Sequence, residues 1–216
     1  MRGGTLDVAG DLVLSTNRLN TYVGCGGALS VYADPTNRPN AVGAQIAVAG
    51  TLTIGALSTY YPYCDETNGS IVACHVGNLV VEKDGLICAD LAGYAPKRGT
   101  NPNYGPGLEG YGYKGATYGG RGGAQTESVY NGVSSPYGSA SNPLDPGTGG
   151  YTAQTYWGYN GGGVVRIVAD HLMTIDGLVS ACGNMTHFLQ YSTGSSGGAV
   201  FLEARRLAGD GEIAAD

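Results

Sequence analysis

Apolar and polar residues alternate with a period of two in several stretches of the chain. The clearest stretch is Gly161–Gly183, which opens with three glycines and continues with Val165 and Ile167. After a short polar break the same phase runs through five further positions, which are Met173, Ile175, Gly177, Val179 and Ala181. Strict alternation of this kind predicts a β-strand that buries one face.

Versions of this pattern recur along the chain with a glycine at their centre. Written as h-x-h-x-G-x-h-x-h, with h an apolar residue, the pattern is found at Leu6–Leu14, Ile46–Ile54, Val81–Ala89, Met173–Ala181 and Leu207–Ala215. The third copy is the loosest, because Lys83 interrupts it. A strand opened by glycine precedes most copies, at Gly26–Asp34, Gly162–Asp170 and Gly197–Ala204, with a degenerate relative at Gly69–Val76. The repeated unit is therefore a strand, a turn and a glycine-centred strand.

The central glycine indicates how the repeated strands are arranged. Glycine inside a strand usually marks a bulge, a bend or a close approach of backbones. At the same place in several strands, it predicts a corner at which stacked coils turn together. We therefore expect an all-β fold with little helix, built as a stack like a parallel β-helix or β-solenoid. A β-sandwich produces the same alternation and is the alternative.

The alternating pattern stops between residues 90 and 160, where ten of the 16 tyrosines lie. Tyrosine side chains become ordered by packing and hydrogen bonding, and the glycine pairs at 119–120 and 122–123 let backbone segments lie close together. We expect a compact, loop-rich Gly/Tyr lobe laid against the stack. The predicted organisation is an N-terminal β-repeat region at 1–76 and a glycine-rich solenoid module at 77–216, with the lobe inserted at 90–160.

Composition and charge exclude several classes of partner. The chain has 39 glycines, only 13% charged residues and a net charge of -6, and its basic residues form no patch. These features argue against binding to nucleic acid or to anionic membranes. No apolar run approaches the length of a transmembrane helix, and no secretory signal is visible at the start of the chain.

Cysteines and glycosylation sequons indicate the compartment. Cys64 and Cys74 flank a polar loop and form one candidate disulfide, and Cys88 and Cys182 form a weaker one, which leaves Cys25 unpaired. Sequons begin at two asparagines, Asn68 and Asn184. Disulfides and N-glycans both favour an extracellular or cell-surface location. The alternative is a cytosolic protein with five reduced thiols.

Several motifs in a fixed order resemble a known kind of module. They are GNLVVEKDGLICADLAGYAPKRGTNPNYGPG, YGGRGG, SPYGSASNPLDPGTGG, GGGVVRIVADHLMTIDGLVSACG and GSSGGAVFLEARRLAGDGEIAAD. The succession, roughly residues 77–216, is similar to glycine-rich modules of very large cell-surface and secreted proteins of bacteria, algae and other protists. The resemblance implies a parallel β-helix or adhesin-like repeat. Because the pattern runs up to Asp216, we expect a segment of a longer polypeptide or one link in an assembly.

Residues with catalytic or metal-binding chemistry are few. His75, His171 and His187 lack the spacing of metal ligands, and no nucleophile motif is present. Three aspartates, Asp84, Asp176 and Asp210, take related positions near the central glycines. Stacked carboxylates of this kind serve either a glycosidase or, more commonly, the hydrogen bonding of turns. We therefore predict no enzyme activity, no catalytic residues, no metal and no cofactor.

Aromatic residues of the lobe are candidates for an interface. They are Tyr111, Tyr113, Tyr118, Tyr156, Trp157 and Tyr159, which either stack on sugar rings or pack the lobe on its scaffold or the next subunit. The predicted function is a structural module of an extracellular filament, stalk or cell-surface appendage that self-associates through β-stacking and Gly/Tyr loops. An adhesin or glycan-binding fibre module is the alternative, and a polysaccharide lyase or glycosidase is the weaker third.

Overall fold

The structure is a computed structural model that describes residues 1–15, 26–36, 41–98, 105–107, 115–122, 135–152, 158–184 and 193–216. Within these ranges it contains strands and no helix, which confirms the prediction of an all-β fold. The strands are β1 (Gly4–Val8), β2 (Leu12–Leu14), β3 (Ala28–Tyr32), β4 (Val42–Ile54), β5 (Thr59–Tyr63), β6 (Ile71–Val81), β7 (Leu86–Cys88), β8 (Lys97–Arg98), β9 (Tyr151–Thr152), β10 (Val164–Ile175), β11 (Leu178–Ser180), β12 (Ala199–Ala208) and β13 (Glu212–Ala214).

Two open sheets contain most of these strands. The large sheet has six strands in the order β1-β4-β6-β10-β12, with β2 also paired to β4, and the small sheet has the order β3-β5-β7-β11-β13. Every pairing between described strands is parallel. The chain alternates between the sheets, so each return to a sheet adds a strand beside the one laid down before. Both sheets also run across the predicted boundary at residue 76, which lies within β6.

The core lies between the two sheets and consists of inward rows of register partners. Ile46, Cys74 and Ile167 form one row of the large sheet, and each is at most 2% exposed. Tyr60 and Ile87 are partners in the small sheet and belong to the same hydrophobic cluster. Alternate side chains of each strand point into the core and form these rows. An inward side chain becomes fully buried only when a strand lies on each side of its own strand.

The central glycines occupy two different positions in the structure. Gly85, Gly177 and Gly211 lie at the corner where the chain passes from the large sheet to the small one, as predicted. Gly10 lies instead between β1 and β2, and Gly50 lies within β4, near a shift in the register of β4 against β6. The first two copies therefore mark an irregularity inside the large sheet. The prediction of one shared corner is wrong for them.

The described parts of the lobe contain the short β8–β9 pair and otherwise irregular chain. A second hydrophobic cluster joins the lobe to the stack, since Tyr118 and Leu144 pack against Ile71 and Val164. The predicted close backbone approach is present at Gly122, where an added Cβ would lie 2.1 Å from a carbonyl oxygen. It is absent at positions 119 and 120, where an added Cβ would meet nothing within 4 Å.

Candidate functional site

The outer edges of β12 and β13 form one end of the stack. No other strand of the described ranges pairs with these edges. Leu207 continues the inward row that contains Met173, and Ile213 continues the row that contains Val179. Met173 and Val179 are 0% exposed, whereas Leu207 is 59% and Ile213 48% exposed. The core therefore ends in an apolar surface bordered by unpaired strand edges, which we call the end surface (β12, β13, Leu207 and Ile213).

The opposite end of the stack is formed by β1, β2 and β3. Val8, Leu12 and Leu29 point inward there and are only partly buried against the core. The first residues of the chain cover part of the β3 edge, because the Met1 ammonium group donates to a β3 carbonyl at 2.9 Å and Arg2 forms a parallel bridge to Tyr32. The two ends are therefore both edges of parallel sheets, but they are not equally exposed.

A cleft of about 420 Å³ lies where the lobe meets the end surface. Tyr118 and Tyr137 line it from the lobe, Val200 lines it from β12, and Ala215 lines it from the end of β13. The two tyrosine rings meet edge to face, with centroids 5.0 Å apart and planes 79° apart. This is a favoured geometry for an aromatic pair and fixes the wall of the cleft.

Hydrogen bonds and burial hold these tyrosines in place. The Tyr137 hydroxyl donates to the Pro146 carbonyl at 2.6 Å and lies 2.7 Å from Thr148 Oγ1. Burial raises the pKa of Tyr137 and raises that of Tyr118 to about 12, so both phenols are neutral at physiological pH. Tyr118 also packs against the cluster that joins the lobe to the stack, and packing of the lobe on its scaffold is one of the roles considered for the aromatic residues.

Thr148 connects the lobe to the segment that leads into β12. Its side chain is fully buried, and its Oγ1 accepts a hydrogen bond from the Gly107 amide at 3.0 Å. Its backbone exchanges two hydrogen bonds with Ser196, through the Ser196 hydroxyl at 2.8 Å and the Ser196 amide at 3.0 Å. A Cβ on Gly147 would lie 2.1 Å from the Gly197 carbonyl, so the two backbones pack directly together. The lobe is therefore fixed beside the end surface.

The remaining predicted aromatic residues divide into two groups. Tyr159 lies at the surface and is 36% exposed. The other four lie outside the described residues, and they are Tyr111, Tyr113, Tyr156 and Trp157. Their prediction as interface or glycan contacts stays a prediction.

The structure contains neither of the predicted disulfides, since Cys64, Cys74, Cys88 and Cys182 are free thiols. Cys64 belongs to the cluster beneath the lobe and Cys74 to the main core, so each packs in a different place. Burial raises the pKa of both of these thiols to about 12. Cys25 lies outside the described residues.

The register of the small sheet explains why the second cysteine pair is not bonded. Cys88 lies opposite Ser180, and Cys182 lies two residues further along the chain. The Ser180 hydroxyl lies 3.3 Å from Cys182 Sγ, and the Cys182 amide donates to the Asp90 carboxylate at 2.7 Å. The first contact is local, and the second joins Cys182 to the segment that follows β7.

The two sequons have different surroundings. The Asn68 side chain joins the segment between β5 and β6 to the segment after β3, donating from Nδ2 to the Thr36 carbonyl at 3.0 Å and accepting from the Thr36 amide at 3.4 Å. Ser70, the third residue of that sequon, is fully buried and donates to the Asp34 carbonyl. Asn184 is exposed, and its backbone pairs with Ser195.

We therefore expect an N-glycan on Asn184 and none on Asn68 when the chain is secreted from a glycosylating host. A glycan on Asn68 Nδ2 would have to displace the contact with Thr36, whereas Asn184 lies at the surface. Peptide mass spectrometry after enzymatic deglycosylation measures the occupancy of each site. Asn184→Gln should remove the glycan completely and Asn68→Gln should leave it, and a glycan found on Asn68 would contradict the prediction.

The three aspartates that take related positions in the repeats lie along one groove at the corner between the two sheets. Asp84, Asp176 and Asp210 line an open groove of about 530 Å³ beside Lys83 and Glu212. The Asp176 carboxylate accepts a hydrogen bond from the Asp210 amide at 3.2 Å. This contact corresponds to the turn role considered for these residues, because the carboxylate holds the backbone of the turn between β12 and β13.

Other polar groups of the described ranges form no metal site. His75 Nε2 lies 2.9 Å from Asp170 Oδ1, and hydrogen bonding to His75 lowers the pKa of that carboxyl. Both side chains are more than half exposed, so the pair contributes little to stability. No group of three potential metal ligands occurs in the described parts of the chain, and the same parts include no helix able to cross a membrane. His187 lies outside them.

A pair of stacked tyrosines on the small sheet was missed by the sequence analysis. Tyr32 and Tyr63 are register partners in β3 and β5. Their ring centroids are 4.6 Å apart and the planes differ by 8°. The available signal was a repeated Tyr-x-Asp triplet, at Tyr32–Asp34 and Tyr63–Asp65, which places both rings in the same row.

Comparisons of the chain with protein-family models, with curated proteins and with solved structures found no match. The end surface, the lobe and the tyrosine pair are therefore the features that bear on function.

Proposed function

We propose that the chain is a β-solenoid module that assembles end to end into an extracellular filament, stalk or cell-surface appendage. The solenoid is supported by the path of the chain, which alternates between two sheets and adds one parallel strand at each passage. β-Sandwiches of the immunoglobulin kind are built from antiparallel sheets, so the uniformly parallel pairing favours a solenoid.

The end surface is the single observation that carries the proposal. Unpaired strand edges are templates for pairing with another chain, and natural proteins usually block them with charges, proline or a covering segment. Here the edge strands β12 and β13 expose Leu207 and Ile213, which continue buried rows of the core. A second copy that added its first coil would pair these edges and bury both side chains.

The lobe has a lateral role in the proposed assembly. It is fixed beside the end surface through Thr148 and Ser196, and Tyr159 is exposed on it. Tyrosine is enriched at protein interfaces because it combines a large apolar ring with a polar group. The lobe thereby offers contacts between neighbouring filaments, and the module needs no catalytic chemistry.

Electron microscopy of the native material tests the proposal. We expect filaments whose strands run across the fibre axis, with an axial repeat of about 4.8 Å, the spacing between paired strands. Sedimentation should show assembly that increases with protein concentration. Monodisperse single particles at all concentrations would refute the end-to-end assembly.

A further inference from the structure

The outer face of the small sheet carries a row of tyrosine rings next to a polar cleft. Tyr63 lies between Tyr32, with ring centroids 4.6 Å apart, and Tyr61, with centroids 5.9 Å apart. Tyr32 is 45% exposed although one of its faces rests on Tyr63. The exposed part of the Tyr32 ring is therefore its edge and the face turned away from Tyr63. This part of the ring is open to a ligand.

The cleft has a volume of about 500 Å³ and combines this aromatic wall with hydrogen-bonding groups. Tyr32 and Tyr63 line one part of it, and Arg2, Glu66 and Asn160 line others. Its volume falls within the range of small-molecule sites.

One carboxylate is held rigidly at the cleft wall. Asp65 is 8% exposed and lines the cleft. Its Oδ1 accepts hydrogen bonds from the Thr67 amide at 3.0 Å, the Thr67 hydroxyl at 2.8 Å and the Asn68 amide at 2.7 Å. These bonds fix the carboxylate before any ligand arrives, which lowers the entropic cost of binding.

The charge of the cleft selects among ligands. Asp65 and Glu66 contribute two carboxylates to the cleft. The Arg2 guanidinium lies 3.3 Å from the carboxylate of Asp34, a residue that does not line the cleft. Because its positive charge is already paired, Arg2 does little to attract an anion. Acidic sugars should therefore be disfavoured, while neutral hydroxyl groups can donate to the carboxylates and accept from the amide of Asn160.

We propose that this cleft binds an uncharged pyranose ring of a polysaccharide, which stacks on Tyr32 and hydrogen-bonds to Glu66, Asp65 and Asn160. The apolar C–H face of a pyranose complements an aromatic ring, and its hydroxyl groups complement fixed polar groups. Among the described residues, the lining of the cleft includes neither Leu207 and Ile213 nor a tyrosine of the lobe, so the site gives the filament module a separate binding activity.

Affinity electrophoresis of the full chain tests this inference, with hydroxyethyl cellulose, mannan, xylan or β-1,3-glucan in the gel and alginate or polygalacturonate as acidic counterparts. At least one neutral polysaccharide should retard the protein, and neither acidic one should. Tyr32→Ala combined with Tyr63→Ala should weaken retardation at least tenfold, whereas the corresponding Phe variants should retain it. Glu66→Ala, which alters an exposed side chain, should weaken binding without changing the far-UV circular dichroism.

A matched lobe variant distinguishes the two candidate surfaces. Tyr111→Ala, Tyr113→Ala and Trp157→Ala together should leave retardation unchanged, because the inference assigns binding to Tyr32, Tyr63, Glu66, Asp65 and Asn160. Loss of binding in the lobe variant but not in the Tyr32 and Tyr63 variant would overturn the inference. Absence of retardation by every neutral polysaccharide would overturn it as well, and filament formation would be unaffected by either result.

Discussion

Replacing Gly177 by alanine is expected to lower the free energy of unfolding by about 3 kcal/mol, the upper end of the usual cost of overpacking. For a domain of this size, that loss corresponds to a decrease in Tm of roughly 10 °C. Thermal and urea denaturation followed by circular dichroism measure both quantities. The expected effect is large because the atoms that a methyl group would meet belong mostly to backbone.

The corner glycines are stacked without room for side chains. A Cβ on Gly177 would lie 2.2 Å from the Gly85 carbonyl oxygen and 2.6 Å from the Glu82 carbonyl oxygen. A Cβ on Gly211 would in turn lie 2.3 Å from the Gly177 carbonyl oxygen. Backbone atoms cannot rotate away as a flexible side chain can, so the neighbouring strands would have to separate and the hydrogen bonds between them would lengthen.

Gly10 provides a matched control, because the sequence pattern gives it the same central position in the first copy. An added Cβ there would meet nothing within 4 Å, and the residue is exposed. Gly10→Ala should therefore change the free energy of unfolding by no more than about 0.5 kcal/mol. Equal destabilisation by the two substitutions would contradict the structural difference between Gly177, at the corner between the sheets, and Gly10, between β1 and β2.

The strands and the buried face were predictable from the sequence because period-2 alternation is a local signal. The stretch Gly161–Gly183 alternates in the sequence and forms β10 and β11 in the structure. Met173 and Val179, both in its predicted inward phase, are 0% exposed. The pairing of Met173 with Leu207 and of Val179 with Ile213 follows from the repeats, since these are equivalent positions of the last two copies.

The position of each repeat within a coil could not be predicted in the same way. The copies centred on Gly50 and Gly177 share one pattern, yet one lies inside the large sheet and the other at the corner between sheets. A glycine permits both a bulge and a turn, and the choice depends on which strands the neighbouring coil supplies. Local pattern contains no information on that choice.

Contacts between neighbouring strands of a sheet could likewise not be predicted from local pattern. The predicted Cys88–Cys182 disulfide is absent because the register of β7 and β11 places Cys88 opposite Ser180. The lobe insertion separates these two strands in the sequence, so local pattern does not show their register. The stacking of Tyr32 on Tyr63 also depends on register, although here a repeated triplet carried a detectable signal. Register was therefore the missing quantity in both cases.

Changing Leu207 and Ile213 together to lysine is expected to prevent end-to-end assembly while leaving the monomer folded. In the proposed filament both positions are buried against the next copy, and an unpaired buried charge costs several kcal/mol. Because each 1.4 kcal/mol is a factor of ten in affinity, the concentration needed for assembly should rise by about 100-fold or more. Sedimentation velocity across a concentration series and electron microscopy measure the change.

Leu57→Lys separates loss of assembly from a general effect of added charge. Leu57 is 53% exposed, close to the values of Leu207 and Ile213, but it lies in the turn between β4 and β5, away from the end surface. This variant should assemble like the unmodified chain, and all variants should keep the same Tm because the altered side chains are exposed in the monomer. If the doubly substituted chain still formed filaments, β12 and β13 would not be the assembling edge. If Leu57→Lys alone dissolved them, the contact would lie on the side of the stack, and assembly would be lateral.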